Sequence, residues 1–356
     1  MDFFLVTRCA LSNIRAMFEL RPFFKFCLAT LLVLLTLGSG RPPHATKDPS
    51  LVKLPKTVTV KQFAHDYGFT EIKVGNKEIV LVGAVHELKL FKDSRKAELN
   101  GSVIWLNDPV VVENRKWVLS QVDAQVSLRP IILPSAVLKG RGFNVVVLDA
   151  GHGGEDGGAV SPTGLLEKQV VLDITRRVRA DLLAKGYQVF LTRHDDRFLE
   201  LEERPRRAES WKADVFVSIH ANSGGSTAVG TETFILTLPG YLSTNQSGGV
   251  APQVAYAGNT FNQANMSLGF AIHHALTQQN KLTDRGVRHA RFAVLKQAPC
   301  PAALVEVGFL SHAQEGAQLA QVQTRVRLSA SIATGIDNYL RAAKKAAIEA
   351  ETETED

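Results

Sequence analysis

The sequence predicts an α/β fold: a mixed, mostly parallel sheet with helices on both faces, preceded by a small β-rich domain. Two observations carry this. Past residue 144, short β-branched runs alternate with stretches of helical periodicity, the pattern of a sheet covered on both sides. Between residues 57 and 135, short strand-like runs follow one another, the pattern of a small β-rich block. A chain of 356 residues accommodates one or two domains with a sizeable core.

The chain opens with Arg8, Arg15, Arg21 and Lys25, then an uncharged run over residues 26–37, then Gly38-Ser39-Gly40. This is the layout of a secretory signal, and the run is short for a membrane span. Residues 1–40 are therefore expected to be a signal peptide, with an uncleaved anchor as the alternative and Met17 as an alternative start. Residues 41–56, rich in Pro and Lys, read as a linker. Two of the three cysteines, Cys9 and Cys27, fall in the signal, leaving Cys300 alone. Neither an internal disulfide nor a cysteine-based zinc site is then open to the exported chain. Net charge is +6, of which residues 1–40 carry +2, leaving +4 for the remainder. The basic residues are scattered, which argues against a nucleic-acid binder and fits loose attraction to an anionic polymer.

In the β-rich block, 57–135, residues 78–85 form one strand. Segments 97–99 and 103–106 flank Asn100-Gly101, the strongest two-residue hairpin signal. Residues 110–112 and 117–119 follow. The next domain is expected over 140–345. Asn144 to Ala150 (NVVVLDA) reads as a buried strand ending in the glycine-rich turn GHGGEDGG, with His152 at its centre. Residues 169–185 place Val170, Ile174, Val178 and Leu182 on one helical face, with Gly186 as the stop. Strands are expected at 188–192, 215–220 (VFVSIH), 231–236, 292–295 and 303–307 (ALVEV), and helices at 199–212, 267–279 and 324–347. Residues 238–262, rich in Gly, Ser, Asn and Gln, read as a long exposed loop. Six Pro and Gly residues within them argue against a stable helix there. The acidic tail, 346–356, is expected to be disordered.

Four polar residues fall at strand ends or just after them: His152, Glu167, His220 and Glu306. In open α/β sheets, ligands gather past the carboxyl ends of strands. Two imidazoles and a carboxylate make a zinc set with a position left for water. The residue types alone leave this open, because the ligands come from separate elements and each has an ordinary structural role available to it. A nucleotide-binding reading of the glycine turn fails, for it lacks both GxGxxG spacing and a following Lys-Ser/Thr pair.

The motifs LDAGHGGEDGGA, GLLEKQVVLDI, TRHDD, SIHAN and VEVGFLSH occur in this order over residues 144–340. In these motifs the chain resembles the zinc-dependent N-acetylmuramoyl-L-alanine amidases. The resemblance implies that His152, Glu167 and His220 bind one zinc ion and that Glu306 is the general base. It implies hydrolysis of the amide between N-acetylmuramic acid and L-alanine of the peptidoglycan stem. Residues 57–135 more faintly resemble a β-rich N-terminal module of copper amine oxidase type, with spacing or wall binding as its task. Three further residues are candidates. Asp149 could orient a ligand imidazole or cap its strand. Arg193 could meet stem-peptide carboxylates or pair with Asp195 or Asp196. His289 lies in a segment the family uses near the substrate. The glycines of the turn are expected to give clearance to a bulky glycan–peptide strand. Expected partners are peptidoglycan and division or wall-remodelling regulators, with no nucleic acid, and a membrane only through an uncleaved N-terminus. The location expected is periplasmic or secreted. The competing readings are a non-catalytic peptidoglycan-binding protein of the same fold and a zinc peptidase or deacetylase.

Overall fold

The computed structural model describes residues 56–136, 138 and 144–352. The expected signal with Cys9 and Cys27, nearly all of the 41–56 linker, most of the bridge before residue 144 and the last four residues lie outside them. Among the described residues no helix is long and apolar enough to cross a membrane.

The first strand, β1 (Thr57–Thr59), leads into helix α1 (Val60–Asp66), which Thr59 caps by accepting a hydrogen bond from the Gln62 amide at 3.1 Å. A meander follows: β2 (Phe69–Val74), β3 (Glu78–Gly83), β4 (Glu87–Phe91), β5 (Ser94–Leu99), β6 (Ser102–Glu113) and β7 (Lys116–Ser120). The β5–β6 turn places Asn100 at φ 52° and Gly101 at φ 76°, the left-handed pair that a type I′ hairpin requires. A π-helical turn (Asp123–Leu128) and a short helix α2 (Arg129–Ile132) close the block.

The α/β part contains β8 (Val145–Ala150), α3 (Glu167–Ala184), β9 (Gln188–Leu191), α4 (Glu203–Ser210) and β10 (Val215–Asn222). It continues with β11 (Thr231–Leu236), α5 (Asn262–Asn280), β12 (Asp284–Ala290), α6 (Ala293–Lys296), β13 (Ala302–Phe309), α7 (Ala313–Ala320) and α8 (Val322–Thr352). Strands β9, β8, β10 and β13 run parallel; β11 lies antiparallel to β13, and β12 parallel to β11. Within this part the sheet is thus mixed and mostly parallel, as the sequence predicts.

Period-two alternation assigns each face. Val146, Leu148, Val217, Ile219 and Val305 face α3, α5 and α8, which supply Val170, Ile174, Leu268, Ile272, Ile332 and Ile336. Val147, Phe216 and Leu304 face the other way, against Ala208 of α4 and Val294 and Leu295 of α6. On this second face the apolar residues stop at Phe216 and Leu304, and Ser218, His220 and Glu306 take over towards the carboxyl ends.

The β-rich region precedes the α/β part, as expected, and the two are joined. Strand β6 pairs in parallel with β12, Ile104 opposite Val287, so one sheet runs from β2 to β9. The two parts also share a core, in which Leu99, Ile104 and Leu106 meet Ile235, Met266, Phe270 and Val287. The Trp105 indole donates to the Arg285 carbonyl at 2.8 Å, and the Val103 amide donates to Asp284 at 2.9 Å. An open strand edge leaves a row of unpaired amides and carbonyls, and β12 covers part of that edge of β6.

Other expectations shift. Residues 292–295 are largely the helical turn α6, and the strand lies just upstream as β12. Its charged residues, Asp284, Arg285 and Arg288, hide it from a search for apolar runs. Helix α4 starts at Glu203, so Pro205 lies in its first turn, where a missing amide costs nothing. Helix α5 starts at Asn262, shortening the loop. The tail expected to be disordered from 346 is helical as far as Thr352. Its Ala-, Lys- and Glu-rich composition favours a helix, and Lys345 pairs with Glu349 one turn on.

Candidate metal centre

The centre forms where β8, α3 and β10 converge. Past β8 the chain turns sharply, and His152 adopts φ 60°, a left-handed conformation unusual outside glycine. Gly153 and Asp156 exchange backbone hydrogen bonds at 2.9 and 3.1 Å, which closes the turn. The Asp156 carboxylate sits 2.7 Å from His152 Nδ1, leaving Nε2 to face Glu167 Oε1 at 3.1 Å. A ring nitrogen tied to a carboxylate fixes which nitrogen faces inward, an arrangement common behind metal-ligating imidazoles.

Glu167 is the first residue of α3, and only 5% of its side chain is exposed. Its Oε2 accepts from the Ala159 amide at 2.8 Å; its Oε1 accepts from the Ala221 amide at 3.0 Å and faces His220 Nδ1 at 3.0 Å. Burial alone would raise this carboxyl, but hydrogen bonds and charge from His152 and His220 hold it far below the usual range. Burial likewise opposes charge on His152, yet Glu167 and Asp156 raise its pKa on balance. The two rings lie edge to face, 5.0 Å apart. One ligand atom from each of His152, Glu167 and His220 lies within 4.8 Å of the others. A buried carboxylate kept ionised between two imidazoles fits a divalent cation with nitrogen and oxygen ligands.

Glu306 stands beside this trio. On β13 it is the register partner of His220 of β10. Its Oε2 is enclosed with no hydrogen-bond partner among the described residues, and burial, with Glu167 and Glu232 nearby, pushes its carboxyl well above the usual range.

The sequence profile of one family, described as N-acetylmuramoyl-L-alanine amidase, matches residues 146–338. The chain belongs to this family. Among its relatives, AmiC of Neisseria meningitidis serogroup B is 37% identical over 227 residues, covering 56% of this chain and 55% of that protein. The uncharacterised YqiI of Bacillus subtilis is 33% identical, covering 60% of this chain and 92% of that protein. The chain thus spans about half the length of that AmiC relative. Among solved structures, the amidase AmiC2 of Nostoc punctiforme shares 34% identity, with a TM-score of 0.48 over 57% of this chain and 99% of that one.

The remaining candidates separate from the centre. Asp149 touches neither imidazole; it accepts from Thr192 at 2.5 Å, Ser218 at 2.7 Å and Arg204 at 2.9 Å, and is fully buried. Arg193 is also fully buried. It donates to the carbonyls of Ala150 (2.9 Å), Gly151 (2.7 Å), Lys168 (3.0 Å) and Asp195 (3.0 Å), which corrects both the substrate-binding and the ion-pair readings. Asp195 pairs instead with Arg197, and Asp196 with Lys168 at 2.7 Å. His289 is buried against β6, its Nε2 2.9 Å from the Trp105 carbonyl, and burial brings its pKa down to about 4. It is not among the converging ligands. Cys300 is buried, and burial raises its thiol.

The sequence reading passed over Asp156 and Arg204. Asp156 had a local signal, a carboxylate four residues after His152. Arg204 had none, because it sits in a charged stretch that reads as a solvated helix. It donates to the carbonyls of Ala150 (2.9 Å) and His152 (3.0 Å) and so holds the ligand loop. The glycines also change meaning. A Cβ on Gly151 would lie 2.2 Å from His220 Cε1, and one on Gly158 2.5 Å from Glu167 Oε2. On Gly153 it would lie 2.1 Å from the Arg197 carbonyl oxygen, and on Gly154 2.7 Å from the Phe198 amide nitrogen. These glycines make room for the protein's own ligands and neighbouring loop, where the sequence reading had substrate in that space.

Proposed function

We propose that the protein hydrolyses the amide joining N-acetylmuramic acid to L-alanine of the peptidoglycan stem peptide. The observation that carries the reading is the meeting of His152, Glu167 and His220 within 4.8 Å, with Glu306 in register beside His220. His152, Glu167 and His220 would hold one zinc ion. Bound zinc supplies Lewis acidity, which polarises the scissile carbonyl and eases loss of a proton from water. Glu306 takes that proton as water oxygen bonds to the carbonyl carbon. It then returns the proton to the alanine nitrogen as the C–N bond breaks. Asp156 keeps His152 Nε2 turned inward, and Arg204 and Arg193 hold the loop carbonyls behind it.

The substrate lies outside the cytoplasmic membrane, which agrees with residues 1–40 acting as an export signal and with a periplasmic or secreted location. A division or wall-remodelling regulator is the partner such an enzyme would answer to. The test uses the full chain on purified sacculi. Release of stem peptides with free L-alanine amino termini is expected, with loss on chelation and recovery on adding zinc. Glu306→Gln is expected to lower turnover by about 10²- to 10⁴-fold while zinc content stays at one per chain. Full turnover in that variant would sink the mechanism. Sacculus binding by zinc-loaded protein without peptide release would favour a binding protein of the same fold.

A further inference from the structure

A row of polar residues leaves the metal centre across neighbouring strands. His220 of β10 is in register with Glu306 of β13, and Glu306 with Glu232 of β11. Residues directly opposite on adjacent strands share a face, so the three side chains stand in line. Glu232 is 2% exposed and forms ion pairs with Arg285 and with Arg288 (3.1 Å), both on β12. The next strand is β6, whose Trp105 ring lies under the Arg288 guanidinium, 5.4 Å to the centroid. The Arg285 guanidinium lies over the Phe309 ring at 4.9 Å. Gly286 permits this packing, since a Cβ there would lie 2.8 Å from the indole.

Two guanidiniums meet one carboxylate. Their other hydrogen-bond partners among the described residues are neutral: the Val229 and Arg285 carbonyls and the Asn245 side chain. Arg285 keeps 31% of its side chain exposed. A guanidinium set over an aromatic ring and open on one side is suited to a carboxylate.

We infer that Arg285 and Arg288, walled by Trp105 and Phe309, bind a free carboxylate on the second residue of the stem peptide. This deepens the function proposed above and rests on it. The muramic acid carboxyl is consumed in the scissile amide, so a free carboxylate belongs to the peptide side. The guanidiniums touch Glu232, one strand from Glu306 and thus about 5 Å across the sheet. An extended peptide covers about 3.5 Å per residue, so its second residue comes within reach. The β-rich part then has a direct role, because Trp105 forms one wall of the substrate site.

The test is equilibrium binding by calorimetry to the full chain, read without turnover. The ligands are the free tripeptide alanyl-isoglutamyl-lysine and the same peptide with its isoglutamyl carboxylate converted to carboxamide. The acid is expected to bind at least about tenfold more tightly than the amide, as for a charge-assisted contact. Arg285→Gln and Arg288→Gln each reduce that ratio, and Trp105→Ala weakens binding of the acid. Equal affinities for acid and amide, or no binding of the acid, overturn the inference even if every variant fails to fold, because both are read on the unaltered chain. Preference for the acid without cleavage of sacculi would count against the hydrolytic reading and leave the carboxylate site standing.

Discussion

His220 occupies the space where a side chain on residue 151 would be. With Cβ-to-ring distances of 2.2 to 2.6 Å, alanine at Gly151 forces the imidazole to move. Displacing a ring that must meet Glu167 and His152 lowers metal affinity by about 10- to 100-fold, the range seen when support behind a metal ligand is removed. Zinc competition titration of Gly151→Ala checks this; unchanged affinity would show that the ring has room to retreat. The same scale explains why Asp149 and Arg193 were legible as special while their partners were not. Both are polar residues at strand ends, which the sequence shows. Their partners, Ser218, Thr192 and Arg204 for one and a set of carbonyls for the other, come from segments distant in the chain. Chain order contains no record of which carbonyls will need a donor.

At the scale of elements, the helices covering the larger core pack closely. Gly335 of α8 sits against α5, where a Cβ would lie 2.4 Å from Ile272 Cα and 2.7 Å from the Ala271 carbonyl oxygen. Two effects compete in Gly335→Ala. Helix propensity favours alanine by about 1 kcal/mol, whereas forcing a methyl group against backbone costs about 1 to 3 kcal/mol or more. Backbone does not step aside as a flexible side chain does, so the variant is expected to be less stable in urea unfolding. A gain in stability would show that the two helices separate cheaply. Helix periodicity was readable for α3 and α8 because a buried face repeats every turn. Strand β12 was not readable, because Arg285 and Arg288 on it serve Glu232 rather than a core.

At the scale of the molecule, the two parts of the chain are joined through β6 and β12. A fragment of residues 136–345 loses the cover over Ile235, Met266, Phe270 and Val287. At about 1.5 to 3 kcal/mol for each large apolar side chain buried, that exposure is a large fraction of a domain's net stability. The fragment is expected to aggregate or to melt well below the full chain in a thermal scan; equal melting would mean the shared core is dispensable. The joint is also sensitive to acid. Buried His289 stays neutral in the fold down to about pH 4, whereas in the unfolded chain it takes a proton near the ordinary value of about 6.5. Between those values the unfolded state binds more protons, so stability falls as pH falls from about 6.5 towards 4. Urea unfolding at pH 7 and 4.5 should show a smaller loss for His289→Gln than for the unaltered chain.

By itself the sequence determined the strands expected at 144–150 and 215–220, the helix after residue 167, the hairpin at Asn100-Gly101 and four polar residues at strand ends or just after them. These are local consequences of period, turn chemistry and the polar ends of apolar runs. Only the tertiary structure decided that β6 adds to the sheet at β12, that the glycines of the turn make room for ligand side chains, and that Trp105 reaches Arg288. Each depends on which distant surfaces are buried together, and a one-dimensional pattern of apolar and polar residues states that a face is buried without stating against what.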